Sequence, residues 1–170
     1  MILPISYKTR KFKIKMTIKV LEKTTMNKNN NISLFAVSFS QGFISPNIPI
    51  ASFQQGDKDI VFLLDTGSDN NVINKKALDF IDYQKHELED GQKLTLSGVN
   101  GTTEVEHCNI KFSSDDETYE TDFLIADLEE AFNAIRKSHC ITIHGILGSK
   151  FLRSHNVILD FKNLAAYSKE

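Results

Sequence analysis

The chain contains 170 residues, of which 41% are hydrophobic and 25% are charged, and its formal net charge is −2 at pH 7. This length is enough for one domain with a buried core and too short for two ordinary domains. No apolar run approaches the roughly 20 residues of a membrane-spanning helix, and no apolar segment typical of a secretory signal follows Met1. We therefore expect a soluble, cytoplasmic protein without a membrane span.

The N-terminal residues are strongly basic. Residues 1–30 carry eight Lys or Arg and one Glu, whereas the rest of the chain carries 12 basic and 21 acidic residues. Residues 11–20 alternate Lys or Thr with apolar residues, which predicts a strand with one solvated face. That lysine face is able to contact nucleic acid or anionic lipid. Lysines also protect an ordinary edge strand from aggregation, and we favour this simpler interpretation. We therefore expect no nucleic-acid partner.

A polar segment follows this strand. Residues 26–31 are mostly Asn and predict a linker. The chain therefore divides into a basic N-terminal extension, residues 1–30, whose place in the native protein the sequence leaves open, and a domain over residues 31–170. Two cysteines, Cys108 and Cys140, are too few for a disulfide-stapled scaffold, so we expect free thiols.

The pattern from residue 33 onward is mostly that of β-strands. Alternating or short apolar runs predict strands over residues 33–39, 48–53, 59–64, 93–97, 102–110, 119–125, 141–147 and 156–161. Helical spacing predicts short helices over residues 74–81 and 149–154. A third helix is predicted where Asp127 is followed three residues later by Glu130, as in a capping box. The predicted fold class is mainly β with two or three short helices.

The residues best suited to chemistry follow the apolar run 61–64, which leads directly into Asp65-Thr66-Gly67-Ser68. An ionised acid at the end of a buried strand is unfavourable unless something hydrogen-bonds it. Gly67 lets backbone amides approach the carboxylate, the Ser68 hydroxyl is able to donate to it, and Thr66 is able to bond across a symmetric partner. The same four residues also suit a plain turn, so this loop alone does not distinguish the two interpretations.

A second motif, His144-Gly145-Ile146-Leu147-Gly148, is followed by Phe151-Leu152 and by the predicted strand 156–161. With both motifs in this order, the chain resembles the retropepsin and pepsin superfamily of aspartic peptidases over about residues 46–163. In that family an Asp-Thr-Gly-Ser or Asp-Thr-Gly-Ala loop is later met by a hydrophobic-hydrophobic-Gly strand, a short helix and a closing strand. The resemblance implies a retropepsin-like closed β-barrel-type fold with one Asp-Thr-Gly lobe, in which Ile146, Leu147 and Gly148 lie near the acid.

The resemblance also implies an activity. Peptide hydrolysis in this family uses two carboxylates that share one proton around a water molecule. This chain has a single Asp-Thr-Gly, so the second acid must come from another copy, in a homodimer that pairs Asp65 with its equivalent. Thr66, Gly67 and Ser68 then support the catalytic loop, and no cofactor or metal is needed. We expect an aspartic endopeptidase acting on protein or peptide substrates. The alternative is a non-catalytic retropepsin-like domain that dimerises or binds peptides.

A Gly-containing hairpin at residues 94–110 stands where the family places its flap. Its tip is predicted to close over an extended peptide and exclude water, and consists of Ser97, Gly98, Val99, Asn100 and Gly101. The alternative is an ordinary surface hairpin.

The chain departs from the retroviral pattern in several places. Ser149 and Lys150 stand where those members usually carry Arg and then Asp or Asn, a pair that braces the dimer. Asp69 thereby loses its usual Arg partner. The segment 115–140 is longer than in the retroviral pattern and includes the extra predicted helix.

The remaining His and Cys residues do not predict a metal site. His107-Cys108 and His139-Cys140 are adjacent pairs, and neighbours in a strand point to opposite faces, so each pair offers one ligand at most. The spacing typical of zinc sites is also missing.

Overall fold

The computed structural model describes residues 37–38, 48–86, 94–98, 101–114, 117–163 and 165–168. The predicted basic strand, the linker, and Val99 and Asn100 of the hairpin tip lie outside these residues. The strands are β1 Val37–Ser38, β2 Ile50–Gln55, β3 Lys58–Asp65, β4 Val72–Asn74, β5 Gln84–Lys85, β6 Leu94–Gly98, β7 Gly101–Ser114, β8 Glu117–Ala126, β9 Gly145–Gly148, β10 Val157–Asp160 and β11 Ala165–Ser168. The helices are a 3-10 helix Lys75–Asp79, α1 Glu129–His139 and α2 Ser149–Ser154.

The prediction of a mainly β chain is confirmed. One eight-stranded sheet has the order β2-β3-β9-β4-β8-β7-β5, with β6 paired to β7. It is mixed, because β3 runs parallel to β9 and β4 runs parallel to β8, while β4 and β9 are antiparallel. A smaller sheet has the order β1-β11-β10. None of the helices in the described ranges is long and apolar enough to cross a membrane.

Two hairpins form, and the second is the predicted Gly-containing hairpin. β2 pairs with β3 from Ile50 opposite Leu63 to Gln55 opposite Lys58, and Gly56 supplies the positive φ of 62° that this tight turn requires. β6 pairs with β7 up to Gly98 opposite Gly101. β7 is 14 residues long and therefore extends well beyond the hairpin into the main sheet.

Alternation along β3 separates two apolar layers. Ile60, Phe62 and Leu64 point into the main core, where the Phe62 ring is tilted against Phe53 and Phe112 and stacked on Phe123. Burying a side chain of this size contributes about 1.5–3 kcal/mol to stability. The largest fully buried side chains of the main core are Phe53, Phe62, Phe112, Phe123 and Phe151.

The opposite face of β3 is covered by α1. Phe132 of α1 packs with Ile50 and Ile143, and the half-buried Leu63 and Ile146 lie against this second cluster. Phe132 and Ile135, together with Leu128 just before the helix, therefore form the face that α1 buries.

The predicted start of α1 needs a correction. The residue that precedes the first helical turn is Leu128, not Asp127. Asp127 Oδ1 still accepts a hydrogen bond from the Glu129 N–H at 3.0 Å. Glu130 is consequently the second residue of the helix, one position too early for the reciprocal bond of a capping box.

The last strands also differ from prediction. The predicted strand 141–147 is observed only as Gly145–Gly148, and Ile143 instead packs under α1. β11 was not predicted, because Ala165–Ser168 has a weak apolar pattern. It forms by pairing with β10 across a turn in which Asp160 Oδ1 accepts bonds from the N–H groups of Lys162 and Asn163, both at 2.9 Å.

Candidate active site

Asp65 is the last residue of β3, where the strand leaves the sheet. In the parallel pairing of β3 with β9 it stands beside Gly148. Its Oδ1 accepts a hydrogen bond from the Gly67 N–H at 2.8 Å, and the side chain is half-buried. The sequence predicted such an amide bond from Gly67. The strand and the turn together therefore orient one carboxylate at the rim of the sheet.

Close packing explains the two glycines nearest to this acid. A Cβ at Gly67 would lie 3.2 Å from Asp65 Oδ1. A Cβ at Gly148 would overlap Asn70 O and lie 2.7 Å from Ser68 O, a distance that real Cβ atoms do not tolerate. The loop after Asp65 thus rests directly on the backbone of Gly148. This contact brings the two sequence motifs together, as predicted.

Ser68 has a different hydrogen bond from the one expected. Its hydroxyl donates to Asn70 O at 2.8 Å, so its one hydrogen is not available to the Asp65 carboxylate. Its backbone N–H donates to Asp65 O at 3.3 Å. Ser68 therefore stabilises the turn of the loop, while the carboxylate itself is held by the Gly67 amide.

Thr66 is exposed at the tip of this loop. Its side chain thus lies on the outside of a single chain, where a second copy is able to reach it. Such a bond stays a prediction.

The residues after β9 hold the far side of the loop through their backbones. Gly148 N–H donates to Asn71 Oδ1 at 3.0 Å. Ser149 N–H donates to Ser68 O at 2.7 Å, and Lys150 N–H donates to Asp69 O at 3.1 Å. Ser149 and Lys150 therefore contribute here through backbone amides, which any residue except proline would provide.

Asn71 is a site residue that sequence analysis missed. Its side chain is buried, with a residue exposure of 2%, and its Nδ2 donates to Thr121 Oγ1 at 3.1 Å and to Asp122 O at 3.0 Å. The available signal was a polar Asp69-Asn70-Asn71 run placed directly before the apolar start of β4. Such a run suggests a surface loop, and nothing local reveals that its last member is buried.

The predicted flap residues stand apart from Asp65 in the sheet order. On one side β7, which carries Gly101, is separated from β3 by β9, β4 and β8, and on the other side it pairs through Ser113 with Gln54 of β2. Gly101 lies at the opposite end of β7 from Ser113. The hydroxyls of Ser97 and Thr102 lie 2.9 Å apart across the hairpin, and Gly101 has a φ of 114°. The hairpin is thus formed as predicted, and its closure over a peptide stays a prediction.

An apolar surface adjoins Asp65 on its own side of the sheet. Val61 and Leu63 share the face of Asp65, because side chains alternate along a strand, and Ile146 stands beside Leu63 in β9. All three are half-buried against the cluster under α1. The apolar face that adjoins Asp65 therefore packs against the residues under α1.

Two pockets lie at the other end of the sheet. β4 runs opposite to β3, so Asn74 at the end of β4 is remote from Asp65 at the end of β3. A pocket of about 170 Å³ includes Asn74, Phe80, His144 and Glu129, and one of about 440 Å³ includes Tyr83. Asp65 lines neither pocket.

Glu129 is the charged centre between these pockets. Its carboxylate accepts hydrogen bonds from Asn74 Nδ2 at 3.2 Å, Lys76 Nζ at 3.2 Å and Asn133 Nδ2 at 2.8 Å. The hydrogen bond from Asn74 is the largest effect that lowers the pKa of Glu129 below its usual value, and the bonds from Lys76 and Asn133 lower it further. These contacts tie α1 to the end of β4 and so have a structural role.

His107 and Cys108 lie on opposite faces of β7, and His107 contacts another histidine, His86. Cys108 is buried in the core, which raises the pKa of its thiol to about 11, while His107 is on the opposite face and stacks on His86 with ring centroids 4.8 Å apart. The two rings are almost parallel, at 4°, so their nitrogen lone pairs lie in different planes. Within the described ranges, no group of three or more His, Cys, Asp or Glu side chains is placed to hold a metal ion.

No protein-family model matches the chain, and a search of the curated proteins finds no match.

Proposed function

We propose that this chain is an aspartic endopeptidase of the retropepsin type that acts as a homodimer. The observation that carries the proposal is the seating of Asp65. It ends a core strand beside Gly148, its Oδ1 is held by the Gly67 amide at 2.8 Å, and its side chain is only half-buried. A plain turn-forming Asp does not need a second strand end packed against its loop at backbone contact distance.

The chemistry follows from pairing two such carboxylates. Two acids in contact cannot both ionise, so the pair keeps one proton, and its titration belongs to the dyad as a whole. The ionised member takes a proton from a water molecule, whose oxygen attacks the peptide carbonyl carbon. The protonated member gives its proton to the carbonyl oxygen. Collapse of the resulting gem-diol breaks the C–N bond, with a proton passing to the leaving amine.

Assembly through β10 is supported by the smaller sheet. In the described residues β10 pairs only with β11, so its other edge is free to accept a strand. Ile158 is 37% exposed and Phe161, just beyond the strand, is 57% exposed. We propose that this edge contributes to the subunit interface, as an exposed apolar strand edge is a ready site for pairing.

A closed barrel is supported by one further strand pairing. Gln54 of β2 pairs with Ser113 of β7. This pairing joins β2, the first strand in the sheet order, to β7, which lies near the other end of that order. We infer that the sheet closes in the retropepsin manner. A cytoplasmic location fits the two cysteines, which are both free thiols.

A proteolysis assay tests the proposal. Wild type, Asp65→Asn and Asp57→Asn are incubated over a range of pH with a mixture of unstructured peptides. Asp57 lies in the turn at the other end of β3, so its variant makes the same charge change away from the site. We expect cleavage by wild type and Asp57→Asn and none by Asp65→Asn.

Two outcomes contradict the endopeptidase. Cleavage by Asp65→Asn at the wild-type rate excludes Asp65 as the catalytic acid. Peptide binding without cleavage by wild type at any pH favours the alternative, a non-catalytic peptide-binding domain.

A further inference from the structure

Asn71 stands at a junction of three structural elements. It lies between the Asp65 loop and the start of β4, its Nδ2 contacts the Thr121 hydroxyl and the Asp122 carbonyl of β8, and its Oδ1 accepts the Gly148 N–H of β9. These three bonds use both amide hydrogens and one carbonyl lone pair of a side chain that has almost no solvent contact. The side chain therefore has one position, set from two strands.

Gly148 transmits that position to Asp65. It is the strand neighbour of Asp65, and the carbonyls of Ser68 and Asn70 pack against its Cα. The same loop carries the Gly67 amide that binds Asp65 Oδ1. A shift of the Gly148 backbone must therefore move either the loop or the carboxylate.

We propose that Asn71 is a positioning residue for Asp65, acting through Gly148 and the loop at 66–70. The catalytic part of this inference rests on the proposed endopeptidase function. Its geometric part, that Asn71 keeps the Gly67 N–H on the carboxylate, does not depend on catalysis and is measurable in the protein without substrate.

The chain offers a matched control in Asn74. Asn74 is also a buried asparagine, at 4% exposure, and it also flanks Val72-Ile73. Its Nδ2 donates a hydrogen bond to Glu129, and its Oδ1 accepts one from the Leu128 N–H. It differs in lying at the end of β4 that is remote from Asp65. A merely structural asparagine should behave alike at both places.

The test compares Asn71→Ala with Asn74→Ala. Both should lower the melting temperature. Only Asn71→Ala should raise the hydrogen-exchange rate of the Gly67 amide, by about tenfold or more relative to the global change. On a cleaved peptide, kcat should fall about 100-fold in Asn71→Ala with KM little changed, because misplacing a catalytic group by about 1 Å costs that much.

Asn71→Asp gives an internal rescue and covers the case in which Asn71→Ala does not fold. When the introduced carboxyl group is protonated at acid pH, its carbonyl oxygen still accepts the Gly148 N–H and its hydroxyl donates to Thr121 or to the Asp122 carbonyl. When the introduced carboxyl group is ionised, the donor is lost. We expect the protection of the Gly67 amide and kcat of Asn71→Asp to be close to those of wild type at acid pH. Both should fall as the pH rises, so the pH profile of kcat should contain one ionisation that wild type does not have.

The outcomes separate the two proposals. If wild type cleaves nothing but Gly67 exchange responds as stated, the endopeptidase proposal fails and the geometric role of Asn71 stands. The role of Asn71 is overturned if Gly67 exchange is unchanged in Asn71→Ala, or if Asn74→Ala has the same effect. It is also overturned if the Gly67 protection and kcat of Asn71→Asp follow the same pH dependence as those of wild type.

Discussion

Val61 and His144 form a reciprocal pair between β3 and the residue that precedes β9. The Val61 N–H donates to the side-chain Nδ1 of His144 at 3.0 Å, and the His144 N–H donates to Val61 O at 2.8 Å. A side chain thus completes the strand pairing at the point where the backbone of 141–144 turns away from the sheet. Because an N–H donor needs a lone pair, Nδ1 must be unprotonated.

This pair makes folding sensitive to acid. Burial lowers the pKa of His144, whereas in the unfolded chain it titrates near pH 6.5. The unfolded state therefore binds a proton first as the pH falls, and the free energy of unfolding decreases below about pH 6.5 until the folded pKa is reached. Urea denaturation from pH 8 to pH 5 should show this decrease.

The control for this prediction is His144→Asn. Its Oδ1 occupies the place of Nδ1 and accepts the Val61 N–H, but it does not titrate. The variant should lose part of the pH dependence of stability, with the remainder due in part to His155, whose pKa is also lowered by burial. Identical pH dependence in wild type and variant would show that His144 is not the titrating group.

Gly148→Ala should damage both stability and activity. The new Cβ would overlap Asn70 O and meet Ser68 O at 2.7 Å, so the loop must move away from β9. Overpacking of this kind costs about 1–3 kcal/mol, which thermal unfolding will detect. Ser149→Ala is the matched control, because the contact of Ser149 with the loop is a backbone bond. A stable, active Gly148→Ala variant would contradict the packing of the loop on β9.

Mixing of subunits should reveal the shared site. If both Asp65 carboxylates are required, an equal mixture of wild type and Asp65→Asn that exchanges freely should keep about a quarter of the activity of wild type at the same total protein concentration. Independent monomers would keep about half. The control mixture with Asp57→Asn should lose nothing. Specific activity should also fall on dilution. Activity that is strictly proportional to wild-type concentration would argue against the dimer.

The sequence predicted those parts of the site that depend on local pattern. Asp65 was identified because an apolar run that ends in Asp-Thr-Gly-Ser indicates a strand that leads into a tight turn. Gly148 was identified through the resemblance to the retropepsin and pepsin superfamily. Asn71 was not identified because its role depends on Thr121, 50 residues away. The length of β9 was overestimated for a similar reason, since the Val61 N–H is bound by the His144 side chain and not by a backbone carbonyl of residues 141–144.

Gly101 provides the last prediction, because it distinguishes a working flap from a passive hairpin. Its φ of 114° is a conformation that L-residues rarely adopt, and its Cβ position has open space within 4 Å, so Gly101→Ala imposes a backbone change without a clash. Gly101 is exposed at the start of β7 and its Cβ position has no close neighbours, so the melting temperature should change only slightly. If the tip closes over the substrate, kcat/KM should fall by about tenfold or more, since the loop no longer reaches the closed form.

Thr103→Ala, an exposed change on the same strand, is the control and should retain activity. A Gly101→Ala variant with wild-type kcat/KM would mean that the group covering the substrate lies elsewhere in the chain. A large drop in its melting temperature would contradict the small packing contribution assigned to Gly101.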